Sequence, residues 1–139
     1  MQWDRSLESD IPVIDHEHRE LVEQISRLVD ESNPEHIREM LDFLKEYVVK
    51  HFAHEQVMHR KLDYPKAAEH KATHVAFVNT FIELEEEYIE KGSNPEMLEK
   101  LTNILKDWLK EHIMGQDMDF SDYFKTLAIR GEVRREDYS

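Results

Sequence analysis

The sequence has no cysteine, which excludes disulfide bridges, zinc–thiolate sites and iron–sulfur clusters together. Glycine and proline are scarce, at 3 and 4 residues, too few for a β-rich fold with many tight turns. Long apolar runs are missing as well, and no stretch approaches the roughly 20 residues that a membrane span needs. The amino terminus, Met1-Gln2-Trp3-Asp4-Arg5, lacks the apolar centre of a secretion signal. Positive charge is outnumbered: 18 Lys and Arg face 31 Asp and Glu, for a formal net charge of −13. Such a surface repels nucleic acid and anionic membranes and keeps a small protein soluble. A chain of 139 residues suits one core. The expectation is a soluble, cytoplasmic, monomeric protein that binds neither nucleic acid nor membrane. Histidine is what the chain has in excess, with 9 residues.

Punctuation and periodicity predict an all-α fold. Asn33-Pro34 and Asn94-Pro95 can each close one helix and open the next with proline in its first turn, and Tyr64-Pro65 marks a third break. Between the breaks, apolar residues recur in steps of three and four. The first segment reads Leu21, Ile25, Leu28, and the second Ile37, Leu41, Leu44, Val48, His51, Glu55, Met58, Leu62. The third reads Ala67, His70, His74, Phe77, Phe81, Leu84, Tyr88, and the fourth Leu98, Leu101, Leu105, Trp108, His112. Seams of this kind joined by short turns predict an up-down-up-down antiparallel four-helix bundle. The bundle domain is expected over residues 1–130, with residues 1–14 as an N-terminal arm and residues 118–129 as a short C-terminal helix. Residues 131–139 are expected to be a charged, frayed tail.

The seams carry polar residues where leucines belong. His51 and Glu55 are consecutive seam positions on the second helix, and His70 and His74 are consecutive on the third. His112 lies on the fourth seam, and His18 lies three residues before Leu21 on the first. A single seam histidine is ordinarily a hydrogen-bonded core residue, and a single seam glutamate reaches for solvent. Six such groups on four helices are another matter. Burying them unpartnered costs several kcal/mol each, against a domain stability of roughly 5–15 kcal/mol. Metal coordination removes that penalty by turning imidazole nitrogens and carboxylate oxygens into ligands. Residues four apart share a helix face, so His51 with Glu55 and His70 with His74 can converge. Asp117 follows His112 by five, which a regular helix turns away; Gly115 between them lets a loosened or ended helix bring it back. Seven candidate ligands exceed one ion's needs, and their chemistry suits iron, manganese or zinc. Neither the His-Glu-x-x-His pattern of zinc proteases nor the Glu-x-x-His pairs of ferritin-like bundles is present.

Taken together, Asp15-x-x-His18, His51-Phe52-x-x-Glu55, Tyr64-Pro65, His70-x-x-x-His74 and Trp108-x-x-x-His112-Ile113-x-x-x-Asp117 resemble the hemerythrin family in its single-domain bacterial form. An amino-terminal tryptophan, here Trp3, fits too, and the match runs to about Phe120. The resemblance implies two non-haem iron ions as cofactors. One is held by His70, His74 and His112 and the other by His18 and His51, with Glu55, Asp117 and an oxo or hydroxo group as bridges. It also implies an open position for dioxygen, surrounded by Leu21, Phe52, Trp108, Leu109 and Ile113, residues that otherwise read as ordinary core. Gln56 departs from the glutamate frequent after the bridging residue in bacterial members, and it flanks the site without being a ligand. His16, His36, His54 and His59 match no ligand position. Solvent or a supporting role is expected for His54.

The function implied is reversible dioxygen binding, for carriage, storage or delivery to an oxygen-consuming enzyme. An enzyme acting on peroxide or nitric oxide with the same site is the alternative, as is an oxygen or iron sensor. No polar seam residue is left over to donate protons, which favours a binding protein over an enzyme. Iron storage is disfavoured, since one bundle has no cavity for mineral.

Overall fold

The computed structural model describes residues 3–139, so Met1 and Gln2 of the expected arm lie outside the described residues. Four antiparallel helical rods make the bundle: α1 (Pro12–Glu31), α2 (Ile37–Lys61), α3 (Ala67–Lys91) and α4 (Pro95–Trp108). The fourth rod does not stop at Trp108. It widens into a π-helical stretch, Leu109–Asp117, and runs on as α5 (Met118–Ile129). The expected C-terminal helix therefore exists over the expected residues, as a continuation of the fourth rod. No strand occurs among the described residues.

Local chemistry sets the ends. Ser32 takes a left-handed conformation (φ 45°) and its N–H closes on the Leu28 carbonyl. Asn33 then accepts a hydrogen bond from the Glu35 N–H, with Pro34 in the next turn. Gly92 (φ 70°) ends α3, and the Asn94 side chain accepts from the Met97 N–H at 2.8 Å to start α4 behind Pro95. Both Asn-Pro pairs thus act as the sequence suggests. Packing is closest between α1 and α2, α2 and α3, and α1 and α4, while Phe77 of α3 meets Trp108 of α4 with ring centres 4.2 Å apart.

The ends of the chain differ from expectation. Helix α1 begins at Pro12, because proline is well suited to a first helical turn, so the arm ends at Ile11. The arm is tied down by Asp15, whose Oδ1 accepts from the Ser9 N–H at 2.7 Å and from the Ser9 hydroxyl at 2.8 Å. Trp3 packs on the bundle and lies under the Arg19 guanidinium, 5.1 Å from its ring centre. The tail 131–139 is not frayed. Val133 is buried, Tyr138 meets Phe124 edge-on at 5.6 Å, and Arg135 pairs with Asp10 at 2.9 Å. Two apolar residues amid the charges are enough to anchor it.

The apolar interior falls into two clusters. The larger holds Leu21, Ile25, Leu41, Leu44, Tyr47, Phe52, Phe77, Leu101, Leu105, Trp108 and Ile113, among others. The smaller holds Ile11, Ile14, Met58, Tyr64, Phe120, Phe124 and Val133. On every rod the polar seam residues fall between members of the two.

Candidate metal centre

All seven sequence-derived candidates, His18, His51, Glu55, His70, His74, His112 and Asp117, are buried and meet in one layer. They form two donor sets: Glu55 with His70, His74 and His112, and Asp117 with His18 and His51. Each of the five imidazoles turns Nε2 towards the centre. The His18 and His51 Nε2 atoms are 3.2 Å apart, and those of His70 and His112 are 3.1 Å apart. Neighbouring ligands around an ion with bonds of about 2.1 Å lie about 3 Å apart, so these separations fit the edges of coordination polyhedra.

The carboxylates lie between the sets. Asp117 Oδ2 is 2.9 Å from His18 Nε2, while its Oδ1 is 2.9 Å from His70 Nε2 and 3.2 Å from His112 Nε2. Glu55 Oε1 is 3.0 Å from His51 Nε2 and 3.3 Å from His74 Nε2, with Oε2 3.5 Å from His70. None of these four oxygens has a directed hydrogen bond, although all are buried. Buried carboxylate oxygens left so are costly, and a bound cation is the partner that suits them.

Asp117 reaches the layer because of the π-helical stretch. There the hydrogen bonds run i to i+5, so the residue five after His112 returns to the same side. Gly115 lies inside the stretch, where it is expected to loosen the helix. The glycine has no left-handed φ, and a Cβ placed on it would meet nothing within 4 Å, so the wide turn does not depend on it.

The far nitrogens are held from behind. His51 Nδ1 donates to Glu17 Oε1 at 2.9 Å, and His54 Nδ1 donates to Glu17 Oε2 at 2.8 Å. His74 Nδ1 donates to Gln56 Oε1 at 3.2 Å. His112 Nδ1 donates to Thr73 Oγ1 at 3.0 Å, and that hydroxyl donates to Gln116 Oε1 at 2.6 Å. Such partners fix the tautomer that leaves Nε2 free to ligate. His54 thus has a supporting contact, whereas His16 is exposed and pairs with Glu20, and His36 pairs with Glu31.

Three buried residues lie at the layer without belonging to the expected ligand set. Glu17, only 4% exposed, lies four residues before Leu21 just as His18 lies three before it, so both steps fit the seam. His59, 2% exposed, has no hydrogen-bond partner on either ring nitrogen and packs among His70, Tyr64 and Phe120. Tyr47 is buried with an unpartnered hydroxyl, its ring stacked on His51 at 4.8 Å. It corrects the expectation that no proton-bearing residue is left near the site. The signal was present: Tyr47, His51, Glu55 and His59 form one unbroken row at four-residue spacing.

Electrostatics follows from burial set against charge. Burial pushes the Glu55 and Asp117 carboxyls up, but the surrounding imidazoles prevail and hold both well below the usual range. Burial pulls the His51 and His112 imidazoles down, yet Glu55 and Asp117 raise them to about 10 and about 9. Burial also disfavours the Glu17 carboxylate, which His51 and His54 nonetheless keep below the ordinary value. For Tyr47, burial and then Asp117 and Glu55 push the phenol well above its ordinary value. The layer is thus arranged to hold anionic carboxylates against positive charge, whether that charge comes as protons or as metal.

Leu21, Phe52, Trp108, Leu109 and Ile113 are all buried in the larger apolar cluster. Phe52 lies flat on His74, with ring centres 3.9 Å apart and planes within 2°. Trp108 lies on His112 at 3.8 Å and 11°. A cavity of about 380 Å³ lies between α3 and the fourth rod, with Thr73, Phe77, Trp108 and His112 among the residues that line it.

Comparison with known proteins agrees with this geometry. The family profile described as "Hemerythrin HHE cation binding domain" matches residues 9–124. Bacteriohemerythrin of Stenotrophomonas maltophilia (strain R551-3) is 29% identical over 126 residues, covering 88% of this chain and 80% of that protein. Bacteriohemerythrin of Methylococcus capsulatus is 30% identical over 106 residues, covering 74% and 79%, and myohemerythrin of Theromyzon tessulatum is 29% identical over 119, covering 86% and 89%. The chain belongs to the hemerythrin family. Among the described residues no helix is long and apolar enough to cross a membrane.

Proposed function

We propose that the seven side chains hold two iron ions and that the protein binds dioxygen reversibly, as one domain with no partner chain needed to complete the site. The observation that carries this reading is the division of the donors into two sets, with the oxygens of Asp117 split between them. A carboxylate placed so could serve both sets at once, which calls for two ions. The donor set, five imidazoles and two carboxylates without thiolate, suits iron and is poorer in anionic charge than oxygen-activating carboxylate bundles. When bound, the pair of irons supplies the two electrons that reversible dioxygen binding draws on.

The chain's own residues do the rest. His70, His74 and His112 would give one ion a fuller complement than His18 and His51 would give the other, so dioxygen would bind on the His18/His51 side. Glu17, Gln56 and Thr73 keep the imidazoles in register. Leu21, Phe52, Trp108, Leu109 and Ile113 line the approach and exclude water, which protects the reduced state from irreversible oxidation. The relatives' names, bacteriohemerythrin and myohemerythrin, are consistent with an oxygen-binding role, and we assign no enzymatic activity.

The test is metal analysis of iron-loaded protein, followed by exposure of the reduced form to air. Two irons per chain and a visible band that vanishes under argon and returns in air are expected. Irreversible oxidation, or turnover of added peroxide, would favour the enzyme reading instead.

A further inference from the structure

Tyr47 lies on α2 one turn before His51, and its ring stacks on that imidazole at 4.8 Å with planes 16° apart. It also meets Phe52 edge-on at 6.2 Å, so it belongs to the apolar cluster that lines the approach. The residue is 6% exposed, and its hydroxyl is buried with no partner. Apolar residues of that size fill cores without such a penalty, because a buried donor left unmade loses its water and gains nothing.

A second donor is stranded nearby. The indole N–H of Trp108, whose ring covers His112, is buried and has no acceptor. Even if that N–H were to donate to the phenol oxygen, the O–H of Tyr47 would still have nowhere to go. The Tyr47 hydroxyl therefore stays a buried donor with no acceptor among the described residues. The acceptor must come from outside the chain.

Position says which one. The donor set beside Tyr47, His18 and His51 with Asp117, has two imidazoles, whereas the other set has three. On the proposed function, on which this inference rests, an external ligand takes the vacant place on the His18/His51 side. We propose that the Tyr47 hydroxyl is the hydrogen-bond donor for that ligand, and that it makes the pocket selective for small ligands that carry an acceptor atom, including small anions. A phenol is protonated at neutral pH and can donate to such a ligand. Hydrogen bonds to charged acceptors are among the strong ones, so the contribution to affinity is large for a single group.

The probe is azide, titrated into the iron-loaded, oxidised protein and followed by its visible absorption. Tyr47→Phe keeps the stacked ring and removes only the hydroxyl. It is expected to weaken azide at least about tenfold, with iron content unchanged and the melting temperature held or raised. Trp108→Phe removes the other buried N–H or O–H donor of the lining, and its loss of azide affinity is expected to be smaller than that of Tyr47→Phe. Resonance Raman of the wild-type azide adduct adds a readout that needs no substitution: its ligand modes should shift in D2O, and the shift should be lost in Tyr47→Phe. Equal azide affinity and an equal D2O response in wild type and Tyr47→Phe would overturn the inference while leaving the di-iron site intact. An effect confined to Trp108→Phe would also overturn it, by assigning the donor to the indole. Iron-loaded wild type that takes no azide would instead strike at the proposed open position itself.

Discussion

Glu17 Oε1 lies 2.9 Å from Nδ1 of His51, on the side of the imidazole away from the metal layer. Its other oxygen takes the Nδ1 proton of His54, so one buried carboxylate is fully committed to two histidines. A carboxylate behind a ligating imidazole fixes its orientation and raises its basicity. Glu17→Gln is therefore expected to weaken iron retention about 10- to 100-fold against a chelator. His54→Ala, which removes only a half-exposed partner, is expected to have a much smaller effect. Iron remaining after graded chelator dialysis measures both.

His74→Ala and Glu55→Ala test whether ligation and core integrity are the same interactions. Each leaves a buried, charged layer short of one member, so a loss of about 3–5 kcal/mol is expected together with loss of iron. Calorimetry and metal analysis on the same samples check this. Full iron content with an unchanged melting temperature in either variant would contradict it.

The four rods, their Asn-Pro boundaries and the seven buried polar residues were all legible in the sequence, because each leaves a periodic or local mark. The π-helical stretch was not. One surplus residue in a turn carries no signature of its own, and the packing of Asp117 against His18 and His70 decides where it goes. Glu17 was ambiguous because steps of three and four both satisfy a seam. Tyr47 and His59 extend the row of His51 and Glu55 by one turn at each end, and an aromatic or a lone histidine there looks like ordinary core. The tail misled because its charge outweighs Val133 and Tyr138 in composition but not in packing.

Acidity should reveal His59. Its folded-state pKa is depressed to about 4 from 6.5, through burial first and then the charge of His70. The unfolded chain takes up this proton below about 6.5, whereas the folded chain resists until about 4. The contribution to stability is thus present above about 6.5 and is lost as pH falls through that interval. His51 and His112 behave oppositely in the metal-free protein. Their raised values, about 10 and about 9, give stability that is full below 6.5 and disappears as pH climbs through them. Urea unfolding of metal-free wild type should therefore weaken on both sides of this range. His59→Met should flatten the acid limb and leave the alkaline limb alone; identical acid limbs would refute the assignment.

Gly115→Ala tests whether the wide turn needs glycine. An added methyl group has open space and the backbone is not left-handed there. The variant is expected to keep its iron and to gain about 0.5–1 kcal/mol, since alanine loses less chain entropy in a helix. Thermal melting with iron analysis decides it.

Phe52→Ala separates shielding from holding. The ring covers His74 face to face at 3.9 Å but ligates nothing. Removing it is expected to cost about 3–5 kcal/mol and to speed irreversible oxidation of the reduced protein in air, with iron stoichiometry preserved. A stopped-flow record of that oxidation, beside metal analysis, is the measurement.

The coordinating layer also divides the interior, with one oily block towards Leu44 and Leu105 and another around Phe120 and Phe124. The imidazoles and carboxylates lie between the two blocks, so the proposed ions would act as mortar between two courses of masonry. Stripped of them, the molecule should lose its all-or-none melting. The end near Phe120, the smaller of the two, should then release its slowly exchanging amide protons before the rest of the bundle does.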